Sequence, residues 1–172
     1  RKYLIPEADA VVNPKQPVCN YPFKNLCGAA VAFKLVQVLY DRFGIDKREM
    51  KSMLEVVAIA TVCDVMELLN ENRIIVKNGL ELLKKTSNLG LKALIEKSNI
   101  HLSSLSAYHL GFIIGPCLNA SGRLDTAKKG LALLLSKNKE EADKLADELK
   151  NLNDIRKEMT VKGLEMAVKQ VE

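Results

Sequence analysis

The stretch AIATVCDVMELL, residues 58–69, decides how the chain folds around it. Together with Val56 and Val57, its first residues form an apolar or weakly polar run that ends at Cys63 and is followed by one carboxylate, Asp64. A helix apolar on every side is buried on every side. A charge buried with it costs several kcal/mol unless something pairs with it. Two readings of Asp64 follow. In one, D-V-M-E is a capping box with Glu67 at the third helical position. In the other, Asp64 lies at the C-terminal end of a buried helix, where the macrodipole is negative and opposes a carboxylate. A divalent cation bound there would remove both penalties, since carboxylates are preferred ligands of Mn2+ and Mg2+.

Working outward, the helix that carries this run is predicted from about Asp46 to Cys63, with Lys51, Ser52 and Glu55 keeping its first half wet. Upstream, a helix starts at Gly28 and stops at Gly44. Between Ala29 and Tyr40 only Lys34 and Gln37 are polar, so this helix too is expected to be buried on nearly every side. Residues 13–27 form a loop with Pro14, Pro17 and Pro22, and Ala10-Val11-Val12 before it reads as a short strand closed by Asn13-Pro14. Downstream, helices are predicted over 70–86, 90–97, 104–114 (stopped by Gly115-Pro116) and 126–135. The last begins near Asn138, where N-K-E-E places Glu141 for a cap. It runs without proline to Glu172, roughly 50 Å at about 1.5 Å per residue. So long a helix is expected to connect two bodies rather than close one. The class is predominantly α with a short strand at the start.

Composition sets the outer bounds. A chain of 172 residues, 48% apolar and 27% charged, has enough apolar surface for a folded core. Its formal charge of +5 permits a polyanionic partner, but no long basic run demands one. Cys19, Cys27, Cys63 and Cys117 are far apart without C-x-x-C, which favours free thiols in a reducing cytoplasm over a zinc site. Nothing approaches the roughly twenty apolar residues of a membrane span. Polar residues open the sequence, and the helical pattern still runs at its end, so the chain reads as a fragment.

A second dense stretch is GPCLNASGRLD, residues 115–125. Its glycines, proline and short polar residues suggest an irregular loop, with Arg123 just before a helix beginning near Asp125. Backbone N–H groups, a helix N-terminus and a guanidinium together make a phosphate cradle. The plainer reading is a helix–loop–helix with Asp125 as the cap and Arg123 on the surface. Asn25–Ala30, rich in small residues, permits close helix packing or close approach of a ligand, and packing is favoured. His101 and His109 lack partners at ligand spacing and are read as solvated or internally satisfied. The Lys and Arg residues of 128–169 are read as the wet face of a helix.

Four segments taken together carry a resemblance: VVNPKQPVCNYPFKNLCGAAVAFKL (11–35), IATVCDVMEL (59–68), GPCLNASGRLDTA (115–127) and LNDIRKEM (152–159). Their order resembles the DHH phosphoesterase superfamily, and within it the single-stranded-DNA-specific 5′→3′ exonucleases of DNA repair and recombination, over essentially the whole chain. The resemblance implies a fragment of an α/β DHH phosphoesterase domain ending in a long helix. Residues 1–136 would be the C-terminal part of the catalytic domain, and 137–172 a helix leading toward the DHH-associated domain. It implies that Asp64 is catalytic as a metal ligand in a two-metal site for Mn2+ or Mg2+. It further implies that Asn119, Arg123 and Gly28 bind substrate phosphate, and that Asn153 and Arg156 make a DNA or structural contact on the long helix.

The implied partner is single-stranded DNA, with a single-strand-binding protein or a helicase as cellular companions. Ala30 stands where the family commonly has glycine and Cys117 where a basic residue is common. The family's D-x-D, further aspartate and Asp-His-His motifs would precede Asn13, so the fragment alone is expected to be inactive. Two rivals remain: a nanoRNase or cyclic-dinucleotide phosphodiesterase of the same superfamily, and a non-catalytic single-strand-binding scaffold.

Overall fold

The computed structural model describes residues 6–124 and 126–171. Its elements are α1 (Gly28–Phe43), α2 (Met53–Cys63), α3 (Asn70–Leu83), α4 (Leu89–Lys97), a 3-10 turn (Leu102–Ser104), α5 (Ala107–His109), a π-helical turn (Leu110–Ile114), α6 (Gly115–Leu124), α7 (Lys128–Leu135) and α8 (Lys139–Val171). The strand expected at 10–12 does not form: among the described residues there is no strand to pair with it. An extended segment without a partner must satisfy its backbone otherwise, and the Val11 carbonyl accepts from the Gln16 side-chain amide at 2.9 Å.

Helix α2, apolar except for Glu55 and Thr61, stands between two cores. Ile59 belongs to the larger one, with Leu83, Leu91, Leu94, Leu110 and Leu133. Val57 and Ala58 belong to the smaller one, with Phe33, Met50 and Ile75. The helix starts later than its pattern suggests. Residues 46–52 are spent on a run of i→i+3 turns, Glu49 N–H to Asp46 carbonyl at 3.2 Å and Met50 N–H to Lys47 carbonyl at 3.2 Å among them.

Two expectations about whole helices need correction. Helix α1, capped as predicted by Gly44 at φ 64°, buries only Ala30 and Phe33, while Leu35, Val38, Leu39 and Phe43 are exposed. It packs through one face, against α2. Helix α8 is capped at Asn138, whose Oδ1 accepts from the Glu141 N–H at 2.8 Å. Its first half does close the body, since Ala142, Ala146, Leu149 and Asn153 form a buried stripe against α4, α6 and α7. Beyond Arg156 its described residues are all exposed.

Close approach fixes one joint of the larger core. A Cβ on Gly90 would lie 1.9 Å from the Leu133 carbonyl oxygen, so α4 meets α7 backbone to side-chain-free backbone.

The buried carboxylate of α2 is Glu55 rather than Asp64. Glu55, expected to be wet, is 6% exposed and accepts from the Thr86 hydroxyl at 2.7 Å. Burial raises its pKa above the usual carboxylate value, and the Thr86 hydrogen bond offsets this in part. A raised carboxyl pKa means that the folded state holds its proton more tightly than the unfolded state does. This contribution is therefore complete below the unfolded value and is lost as pH rises through the folded one. Glu55→Gln keeps an acceptor for Thr86 without the charge. Urea unfolding from mildly acidic to mildly basic pH should show wild type losing more stability than Glu55→Gln, with the variant the more stable at the basic end.

Candidate functional site

Asp64 is the C-terminal cap of α2, and it is exposed. It caps no following helix, because α3 begins only at Asn70. After it the chain makes a Schellman turn, with Met66 N–H bonded to the Thr61 carbonyl at 3.2 Å and Val65 N–H to the Val62 carbonyl at 3.1 Å. The left-handed residue in such a turn is usually glycine, but here Val65 sits at φ 54°. A β-branched residue in that conformation costs on the order of 1–3 kcal/mol and persists only where its surroundings over-determine it. Part of that constraint is Asn72, whose Nδ2 donates to the Glu67 carbonyl at 3.0 Å and the Asn25 carbonyl at 2.7 Å. The Cys27 thiol, 3.5 Å from the Thr61 hydroxyl, sets the start of α1 against the last turn of α2. Leu26, Cys27 and Ala30 are core residues, so the small-residue lead-in is used for packing.

The stretch expected to be a loop, 115–124, is helix α6. Proline is tolerated in a helix's first turn, where its missing N–H has no intrahelical partner, and the π-helical turn before it widens the backbone at that point. Arg123 is thus in the last turn of α6 rather than ahead of a helix N-terminus, and Asp125 lies outside the described residues. Gly115 is needed for contact: a Cβ there would stand 2.1 Å from the Cys63 sulfur. This contact sets α6 beside the residue that precedes Asp64.

A polar cleft of about 190 Å³ opens at this junction, lined by Cys63, Gly111, Gly115, Pro116, Asn119, Arg123 and Arg156. No acidic side chain lines it among the described residues. Arg156 reaches it from α8 and is braced there. Its Nε and Nη2 donate to the Asn153 Oδ1 at 3.2 and 3.1 Å, and Asn153 itself is 2% exposed. A guanidinium has five N–H donors, so most of its donors stay uncommitted. The Cys63 thiol is pushed up to about 11, first by burial and then by the Asp64 charge. Burial raises Cys117 as well. Both stay protonated at neutral pH and are poor nucleophiles. Cys117 is buried on α6 and lies off the cleft.

The structure therefore gathers Asn119, Arg123 and Arg156 into one site, with Asp64 next in sequence to a lining residue and Asn153 behind it as a brace. Gly28 is elsewhere. It lines a separate, more apolar recess with Val11, Asn13 and Leu26, although Cys27 keeps it near the end of α2. His109 is satisfied, its Nδ1 lying 3.1 Å from the Ser106 N–H that donates to it. Sequence reading missed Val65 and Asn72, and it placed Glu55 in solvent where the structure buries it. The only signal for Val65 was the absence of glycine after the apolar run. Among the described residues no three His, Cys, Asp or Glu side chains lie together. Among the described residues no cluster of carboxylates stands with Asp64 to complete a divalent-metal site, and a hard cation needs several oxygens. All four cysteines are free, and no helix among the described residues is long and apolar enough to cross a membrane.

No family model matches the chain. Against curated proteins it is 40% identical over 168 residues to the single-stranded-DNA-specific exonuclease RecJ of Bacillus subtilis, covering 98% of this chain and 21% of that protein. It is 41% identical over 165 residues to the RecJ of Escherichia coli, covering 90% of this chain and 29% of that one. The chain is homologous to a segment of RecJ. Solved RecJ structures agree. An exonuclease RecJ bound to manganese superposes with TM-score 0.80 at 33% identity over 90% of this chain and 39% of that one. Thermus thermophilus RecJ in complex with Mg2+ gives 0.77 at 33% identity over 86% of this chain and 23% of that one. The chain thus spans less than a third of the length of the curated RecJ proteins it matches, and its mostly helical fold is that of the corresponding part of RecJ, a DHH-family fold.

Proposed function

We propose that this chain is the part of a RecJ-type exonuclease that supplies one metal-ligating carboxylate and grips the backbone of single-stranded DNA during 5′→3′ phosphodiester hydrolysis. Residues 1–136 would be the C-terminal part of the DHH catalytic domain, and 137–172 the helix leading toward a further domain. Asp64 is the carboxylate. Asn119 and Arg123 hold the substrate phosphate and Arg156 assists from α8, while Gly28, in its separate recess, would meet another part of the strand. The observation that carries this reading is the polar cleft, in which two guanidiniums and one amide converge beside the end of α2 with no acidic lining residue among the described residues. A forked, planar cation donating two parallel hydrogen bonds suits a phosphate better than a point charge does. A divalent ion held jointly by Asp64 and ligands from outside this chain would supply water activation and charge neutralisation. Support also comes from the exonuclease names of the relatives and from the Mn2+ and Mg2+ of the solved RecJ structures.

Arg123→Ala in the full-length protein tests the phosphate assignment. Losing a charged hydrogen-bonding group costs about 1.5–3 kcal/mol, so kcat/KM on a single-stranded oligonucleotide should fall roughly ten- to a hundred-fold. Arg123→Lys should recover part of the loss. If the alanine variant melts several degrees early yet turns over normally at permissive temperature, Arg123 is a structural brace and the proposal fails.

A further inference from the structure

Immediately upstream of the cleft, Tyr108 and Phe112 stack on one another with ring centroids 5.0 Å apart and planes inclined by 27°. Both are open to solvent, at 62% and 69% exposure. Two large apolar rings left in water at adjacent turns are a cost to the isolated fold unless something covers them. They flank Gly111, which lines the polar cleft, and Phe112 is four residues before Pro116, which also lines it. Tyr108, Phe112, Pro116, Asn119 and Arg123 follow one another at intervals of four, four, three and four, the spacing of a single helical ridge. Positions four apart are neighbours on a helix surface, and Tyr108 in α5 and Phe112 in the π-helical turn meet in this way. From Phe112 to Asn119 the ridge rises roughly 10 Å at about 1.5 Å per residue. One face thus carries flat apolar rings at one end and the cationic, amide-lined cleft at the other.

We propose that Tyr108 and Phe112 are a stacking platform for a nucleobase of the single strand whose backbone phosphate lies against Asn119 and Arg123. The inference rests on the phosphate reading above. Alternation of π-faces with guanidiniums is how sequence-independent single-strand sites work, since every base offers a face and every nucleotide a charge. The platform would hold the strand without selecting among bases, and would favour a strand with unpaired bases over a duplex, whose base faces are already stacked.

The test uses the full-length protein, Ca2+ in place of Mn2+, and two fluorescent strands of equal length and charge, one with bases and one wholly abasic. Phe112→Ala and Phe112→Leu should each weaken binding of the base-bearing strand roughly tenfold, the leucine keeping bulk but lacking a π-face. Tyr108→Phe should bind as wild type does. All variants should bind the abasic strand equally. Equal losses on both strands, wild-type affinity in Phe112→Ala, or full rescue by Phe112→Leu would each overturn the platform. Arg123→Ala on the abasic strand reports separately on the phosphate site: a loss there with unaffected ring variants sinks the platform alone, and no loss there sinks the phosphate reading.

Discussion

Asp64→Asn in the full-length protein should leave less than about a tenth of the Mn2+-dependent cleavage of single-stranded DNA while folding as well as wild type or slightly better. The two halves of this expectation come from one observation. Asp64 is exposed at the C-terminal end of α2, and its carboxylate makes no hydrogen bond among the described residues. A negative charge at the negative end of a helix dipole is unfavourable by about 0.3–1 kcal/mol. Asparagine relieves that repulsion and is at home at a helix end. On stability alone the aspartate gains nothing from this place, which is why the proposed metal role predicts a loss of turnover without a loss of stability. The contrast is measurable as a melting temperature that holds or rises beside a turnover that collapses. Retention of more than about a tenth of the turnover would mean a loss under about 1.4 kcal/mol, and Asp64 would then be an ordinary surface residue.

Gly90→Ala should be the most damaging single methyl in the chain. The added Cβ would stand 1.9 Å from the Leu133 carbonyl oxygen and 2.6 Å from its carbon, and backbone cannot swing aside as a side-chain tip can. Leu91, Leu94 and Leu133 around it are fully buried, so α4 must separate from α7 and open the core. Overpacking of this kind costs about 3 kcal/mol, or roughly 10 °C of melting temperature in a chain of this size. Gly163→Ala is the control. Nothing lies within 4 Å of its Cβ position on the bare half of α8, and removing a helical glycine should stabilise by about 0.5–1 kcal/mol. If both variants melted alike, the close approach of α4 and α7 would be disproved.

Much of this was legible from residues alone, and the failures share a cause. The stop at Gly44, the cap at Asn138 and the length of α8 were readable because each depends on local backbone chemistry. The order of motifs around Asp64, Asn119, Arg123 and Arg156 was readable, and three of those four meet in one cleft. What misled was any inference that needed a neighbour. Ala10–Val12 has the composition of a strand but, among the described residues, nothing to pair with. Gly115-Pro116 looks like a helix stop, yet the π-helical turn before it accommodates the proline and the Cys63 sulfur explains the glycine. The burial of Glu55 depends on Thr86, thirty-one positions away. The apolar surround of α1 suggested complete burial, which α2 provides on one side only.

The double membership of α2 also governs how the molecule breathes. Local openings propagate through whatever packing they must break. A helix that walls only one cluster can detach and leave the rest intact. Helix α2 cannot, because Ile59 and Val57 look into different clusters, and releasing either face strips the other. Its amides therefore belong to the last foldon to open. The turn that carries Asp64, strained at Val65, is anchored to this helix, so hydrogen exchange should find the amides of α2 among the slowest in the chain.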